Sequence, residues 1–219
     1  MLPFPQLVIY GNTRPSYSGV LVMHSDNGFT DLAKPTRIIN KSSTSLVTTT
    51  AQHLPGLTSS YNCNLGYIII PATDMTDMNI GKSTGDFTVE WFCYITSVAG
   101  TPWYISSGTG TTSDVKVFSS TLYLQNRTGG SSVAVSTINN STYVGRWIHC
   151  SLVQDGTTVT WYMNGTRILT AAGRWGDVNT PLRIGGYENV SNSYIDQIRI
   201  TNLALYSGAS FTAPDYPLV

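Results

Sequence analysis

The segment GRWIHCSLVQDGTTVTWYMNGTRI, Gly145 to Ile168, decides the fold of this chain. Two dipeptides, Asp155-Gly156 and Asn164-Gly165, each stand between runs of β-branched and aromatic residues. Such pairs accept the positive backbone angles that a tight antiparallel reversal needs, so two successive hairpins are predicted. Downstream, PLRIGGYENVSNSYIDQIRITNLALYSGASFTAPDYP (Pro181 to Pro217) continues the meander. Within it Tyr194, Ile195, Ile198 and Ile200 surround Asp196 and Arg199, which predicts a strand buried on one face and wet on the other.

Upstream, TGDFTVEWFCYI (Thr84 to Ile95) reads as a long alternating strand. Phe87, Val89, Trp91 and Cys93 form one row and Thr88, Glu90, Phe92 and Tyr94 the other; both are partly apolar, as inside a two-sheet sandwich. GYIIIPATDMTDM (Gly66 to Met78) supplies a buried strand that Pro71 ends. Short strands are predicted at Pro102 to Ser106, Val115 to Ser119, Leu122 to Asn126 and Val133 to Ile138, and another after Gly19 within Val20 to Ala33. Lys34 to Leu57 is loop-heavy, and no stretch keeps a helical period. The expected fold is all-β, a two-sheet antiparallel sandwich over residues 18–219.

Residues 1–17 differ from the rest. Pro3, Pro5 and Pro15 punctuate an apolar strip with Phe4, Leu7, Val8, Ile9 and Tyr10, and proline holds itself and its predecessor extended. The strip reads as an arm that either adds an edge strand to its own sheet or lies across a neighbouring molecule. Its candidate contact residues are Pro3, Phe4, Leu7, Ile9, Tyr10 and Arg14.

The 219 residues suit one domain with a sizeable core. Charged residues make up 11%, against about a quarter in an ordinary soluble domain. Solubility must come from Ser, Thr, Asn and Gly, a balance suited to surfaces that assemble with little long-range repulsion. Twelve basic and twelve acidic residues cancel, so there is no electrostatic footprint for nucleic acid. The start MLPFPQLVIYGN lacks the pattern of a signal peptide, and no segment has the roughly 20 apolar residues of a membrane span, so synthesis in a cytoplasm is expected. Cys63, Cys93 and Cys150 lack metal-ligand spacing and are expected to be free thiols.

The order of elements resembles the laminin-G-like domains of the concanavalin A superfamily, in the versions encoded by tailed bacteriophages. GYIIIP, GDFTVEWFCYI, the hairpin pair, LRIGGY and the ending YIDQIRITNLALYSGASFTAPDYP carry the resemblance, from about Val20 to Pro217. It implies a concanavalin A-like jelly roll in which Asp196 and the Phe211, Thr212, Pro214 ending are structural signatures. The fold hosts lectins, glycosidases and assembly modules alike, so function must be argued from sites.

Hydrolysis of glycosides needs paired carboxylates about 5–10 Å apart. The chain has two glutamates, Glu90 and Glu188, and no acid two or four residues from Glu90 to partner it, so an enzyme is not expected. His149 next to Cys150 points to the opposite sheet face from it, which predicts a sheet histidine satisfied by a neighbour. Relatives bind Ca²⁺ through loop carboxylates; here the candidates would be Asp26, Asp31, Asp74 and Asp77, although no cofactor or metal is expected. A glycan platform would draw on Trp103, Tyr123 and Trp175, while core packing is the competing role for each.

Three functions follow. The foremost is a non-enzymatic virion structural protein, a capsid decoration or cement protein of a tailed phage on the capsid surface. Its partners would be the major capsid protein or other virion proteins, with homo-oligomers such as trimers. The second is a lectin-like tail-fibre or receptor-binding protein that takes host-surface glycan, and the third a polysaccharide-degrading enzyme. Neither nucleic acid nor a membrane is an expected partner.

Overall fold

The computed structural model describes residues 19–97, 104–107, 114–118, 121–125, 132–186 and 192–215. Among them are fifteen strands: β1 (Leu21–Met23), β2 (Asn40–Lys41), β3 (Thr48–Thr49), β4 (Ser60–Asn62), β5 (Tyr67–Ile70), β6 (Phe87–Ile95), β7 (Tyr104–Ser107), β8 (Asp114–Phe118), β9 (Thr121–Gln125), β10 (Ser132–Thr137), β11 (Trp147–Asp155), β12 (Thr158–Met163), β13 (Thr166–Ala172), β14 (Leu182–Gly185) and β15 (Ser193–Thr201). Helical structure is confined to four single 3-10 turns. None of the described helices is long and apolar enough to cross a membrane.

The strands form two antiparallel sheets. One runs β13-β12-β11-β6-β15-β4-β3, with β1 also on β15; the other runs β10-β9-β8-β7-β14-β5-β2. The all-β two-sheet sandwich expected from the sequence is the observed fold. Both hairpins form as well. Asn164 and Gly165 have φ of 47° and 75°, and two positive angles are what a type I′ turn requires. At the other hairpin the two turn residues are Gly156 and Thr157, one position later than the Asp-Gly pair suggests: Asp155 still pairs with Thr158, and only Gly156 takes a positive φ.

Alternation places one row of β6 in the core: Phe87, Val89, Trp91, Cys93 and Ile95 pack with Ile148, Cys150 and Leu152 of β11 and Trp161 of β12. The Trp91 and Trp161 rings lie 5.5 Å apart in a tilted pair, a geometry that adds about 1 kcal/mol to burial alone. From the second sheet Ile68, Ile70, Ile105, Leu122, Leu124, Leu182 and Ile184 meet this row. The three cysteines are free and buried, as expected.

Strand β15 departs from simple alternation. Ile195, Ile198 and Ile200 are all fully buried, although Ile195 and Ile198 have opposite parity. A bulge resolves the conflict: Asp196 pairs with Phe92 and Arg199 with Glu90, so two residues, Gln197 and Ile198, face Trp91 alone, with Gln197 at φ 55°. The same irregularity corrects the expected wet face, because Asp196 is fully buried. Along its other edge β15 pairs first with β4, at Tyr194 and Ile195, and then with β1, from Ile198 to Ile200. Asp196 sits between these pairings, where no ladder bonds reach. Its carboxylate fills the gap by accepting from Ser25 N and Ser25 Oγ at 3.0 and 2.8 Å and from Gln197 N at 2.7 Å.

Candidate functional site

The second row of β6 faces away from the core and holds the chain's best-placed acid. Register sets Glu90 opposite Ser151 of β11 and Arg199 of β15. Its Oε1 lies 2.7 Å from both Nε and Nη2 of Arg199. Its Oε2 accepts from Tyr206 Oη at 2.7 Å and is 2.9 Å from His149 Nε2. A carboxylate only accepts, so that histidine nitrogen donates. Burial pushes the Glu90 carboxyl up, but the His149 hydrogen bond and the Arg199 charge outweigh it and hold the group below the usual glutamate value.

The segment after β15 covers this acid. Tyr206 and Phe211 stack with planes 2° apart and centroids at 3.7 Å. Both rings meet His149 edge-on, and Phe211 also meets Tyr162 of β12. Phe211 N donates to Gly165 O and Arg167 N to Ala209 O, stitching the segment along the β12–β13 turn. Thr88 Oγ1 donates to Leu203 O and accepts from Leu205 N. Glu90 is left with no exposed surface, and every group it touches is a donor. His149 is a sheet histidine satisfied by a neighbour, as the sequence indicated, and Cys150 points the other way into the core. The chemistry available here is that of a buried ion-pair network, and among the described residues no second carboxylate shares a proton with Glu90.

Three of the four loop aspartates, Asp31, Asp74 and Asp77, gather around an arginine instead of a metal position. Arg37 Nε donates to Asp31 Oδ2 at 2.7 Å, and its Nη1 and Nη2 donate to the two Asp77 oxygens at 3.0 and 2.9 Å. The same guanidinium donates to the Asp74 and Val20 carbonyl oxygens. The fully buried Arg37 side chain thus occupies the centre that a cation would need. Asp26 is spent on Thr58 and Ser59. Among the described residues no cluster of three or more His, Cys, Asp or Glu is arranged around a metal position.

Of the aromatic candidates, Trp175 is a correction: it has no exposed surface and packs 6.3 Å from the Phe87 ring, so it cannot carry a glycan. Its backbone N–H donates to Gln154 Oε1, and Gln154 Nε2 in turn donates to the Gly156, Thr158 and Gly173 carbonyls. Tyr123 is half-buried on β9. Trp103 lies outside the described residues, as does the whole strip 1–17 with Pro3, Phe4, Leu7, Ile9, Tyr10 and Arg14. Sequence reading missed the Arg37 centre and the Tyr206 contact, since both join residues that are 37 and 116 positions from their partners.

A laminin-G-type family model, described as the concanavalin A-like lectin/glucanases superfamily, matches residues 66–208. The chain belongs to this superfamily. Among curated proteins none matches the chain by sequence. Among solved structures it is similar to the binding domain of botulinum neurotoxin DC in complex with rat synaptotagmin II, at TM-score 0.57 and 12% identity over 86% of this chain and 49% of that one. It is similar also to the DC binding domain in complex with SialylT, at TM-score 0.58 and 12% identity over 86% and 48%. The serotype C1 binding domain gives TM-score 0.56 and 12% identity over 86% and 50%. The chain therefore spans about half the length of these domains, and the likeness at such identity is one of fold.

Proposed function

We propose that this protein is a non-enzymatic adhesion module of a virion, a decoration protein that docks on the capsid shell of a tailed phage. The observation that carries the non-enzymatic part is the closed face of the eight-stranded sheet. Its acid, Glu90, is ion-paired with Arg199, hydrogen-bonded to His149 and roofed by Tyr206 and Phe211. Purified protein should release no reducing sugar from β-glucans, and Glu90→Gln should instead lower unfolding stability by about 3 kcal/mol, the cost of breaking a buried ion pair from one side. Hydrolysis that disappears in Glu90→Gln while stability holds would overturn this reading.

Support for the shell comes from the neutral hydroxyl-rich and amide-rich surface, which allows dense packing without charge repulsion. The apolar strip of residues 1–17 offers a tether, and about 800 Å² per partner is enough for specific attachment. The similar botulinum neurotoxin DC binding domains in complex with rat synaptotagmin II and with SialylT keep a lectin-like receptor-binding protein as the second reading. Deleting residues 1–16 should leave a folded domain that no longer co-sediments with particles, and quantitative proteomics should find hundreds of copies per particle. Retained co-sedimentation would remove the tether, and a few dozen copies would move the protein to the tail.

A further inference from the structure

The two sheets meet edge to edge where β10 ends one and β13 ends the other. Between these edges lies a shallow open cleft of about 360 Å³, closed at one end by the 3-10 turn Asn140–Thr142. That volume is at the lower end of small-molecule sites, about 300–1,000 Å³. Its walls carry Ser136, Thr137, Asn139, Thr142, Tyr143 and Arg167.

A bulge shapes one wall. Trp161 pairs with Leu169 but Tyr162 with Arg167, so Ile168 is the extra residue and the strand bends at the cleft. Bulges of this kind re-aim side chains at sheet edges. Arg167 is exposed, and it contributes the one charge among the lining residues. Asn139 Oδ1 already accepts from Ser141 N at 3.2 Å and Ser141 Oγ at 2.6 Å, which commits its oxygen and leaves its amide hydrogens as the polar function it can offer. Three hydroxyl side chains, the half-buried Tyr143 and two isoleucines, Ile138 and Ile168, complete the lining.

We propose that this cleft is a binding site for a carboxylated sugar residue, a uronate or sialate. A guanidinium matches a carboxylate with two parallel hydrogen bonds. Amide and hydroxyl groups match ring hydroxyls, and the tyrosine ring covers an apolar sugar face. A bare inorganic anion would use the arginine and leave the rest of the lining idle, and a neutral sugar would leave the arginine idle.

The site is independent of shell docking, because the tether lies in residues 1–17. The test is ¹H–¹⁵N NMR titration of the full chain with methyl glucuronide, methyl α-sialoside, methyl glucoside and sodium sulfate, each to about 10 mM, enough to saturate a millimolar site. Either acidic sugar should shift the backbone amides of residues 136–143 and 166–168. It should bind at least about fivefold more tightly than the glucoside or sulfate, given the strength of charge-assisted bidentate pairs. Arg167→Gln, on an exposed side chain, should keep the fold and erase that preference, while Tyr143→Leu should weaken both sugars. Absence of shifts at these amides with either acid, equal binding of sulfate, or a preference that survives Arg167→Gln overturns the assignment. Particle co-sedimentation of Arg167→Gln should equal that of the parent protein.

Discussion

Asp196 shows how a single carboxyl can set the pH response of a fold. Burial pushes it up to about 6, against its three hydrogen bonds, with Asp26 adding to the rise. The folded value lies above the unfolded one of 3.8. The native state therefore holds this proton more tightly, and the stabilisation is complete below about pH 4 and lost as pH rises through about 6. The amount is about 3 kcal/mol at 1.36 kcal/mol per pKa unit. Asparagine can keep all three contacts, since its oxygen accepts from both backbone N–H groups and its amide donates to a rotated Ser25 hydroxyl. Asp196→Asn should fold, and urea titrations at pH 4 and pH 7 should show that it gains relative to the parent by about that amount at the higher pH. An unchanged difference between the two pH values would show that Asp196 does not titrate in this range. The position of this residue was only half legible. The spacing of Ile195, Ile198 and Ile200 already breaks a two-residue period, which signals a bulge, but the partner Ser25 is 171 residues away.

At the scale of elements, the hairpins were readable because turn chemistry is local. Asn164-Gly165 demands its angles regardless of context, and Phe87 to Ile95 alternates cleanly. The covering segment after β15 was not readable as a roof, because nothing in Tyr206 or Phe211 alone says which sheet face they will meet. Gly165 joins the two levels. It takes φ 75°, and a Cβ there would collide with the carbonyl oxygen of Phe211. Gly165→Ala should therefore strain the turn and lift the segment together, costing more than about 1 kcal/mol, the scale set by alanine at a positive φ. Limited proteolysis should cut near residues 203–215 faster in the variant than in the parent. Equal rates at that segment would mean the turn and the roof are uncoupled.

For the whole molecule, the sandwich gives its largest buried polar side chains dense sets of partners. Arg37, Glu90 and Gln154 are buried and multiply bonded, and the formal net charge of the whole chain is zero. The thiols follow the same logic: burial pushes both Cys63 and Cys150 above the ordinary thiol range, so the reactive thiolate is suppressed. Brief labelling with iodoacetamide at neutral pH should modify none of the three cysteines in the native protein and all three in denaturant, counted by intact mass; native labelling at Cys63 or Cys150 would contradict the core described here. Composition and patterning announced the architecture and the inert thiols, because they depend on average burial. They left two roles open for Trp175 and for the aspartates, whose exposure is decided by loops that pack only once both sheets are in place.

The placement of β15 carries a consequence for biosynthesis. The last of the described strands is inserted between β6 on one side and β1 and β4 on the other, so its neighbours must wait for it with open hydrogen-bonding edges. A nascent chain that has not yet delivered residue 201 exposes the apolar row of β6 and an unpaired edge, the combination that invites clumping. Delivery of β15 is thus also the moment at which this sheet closes, and only chains that have passed residue 201 have these edges satisfied.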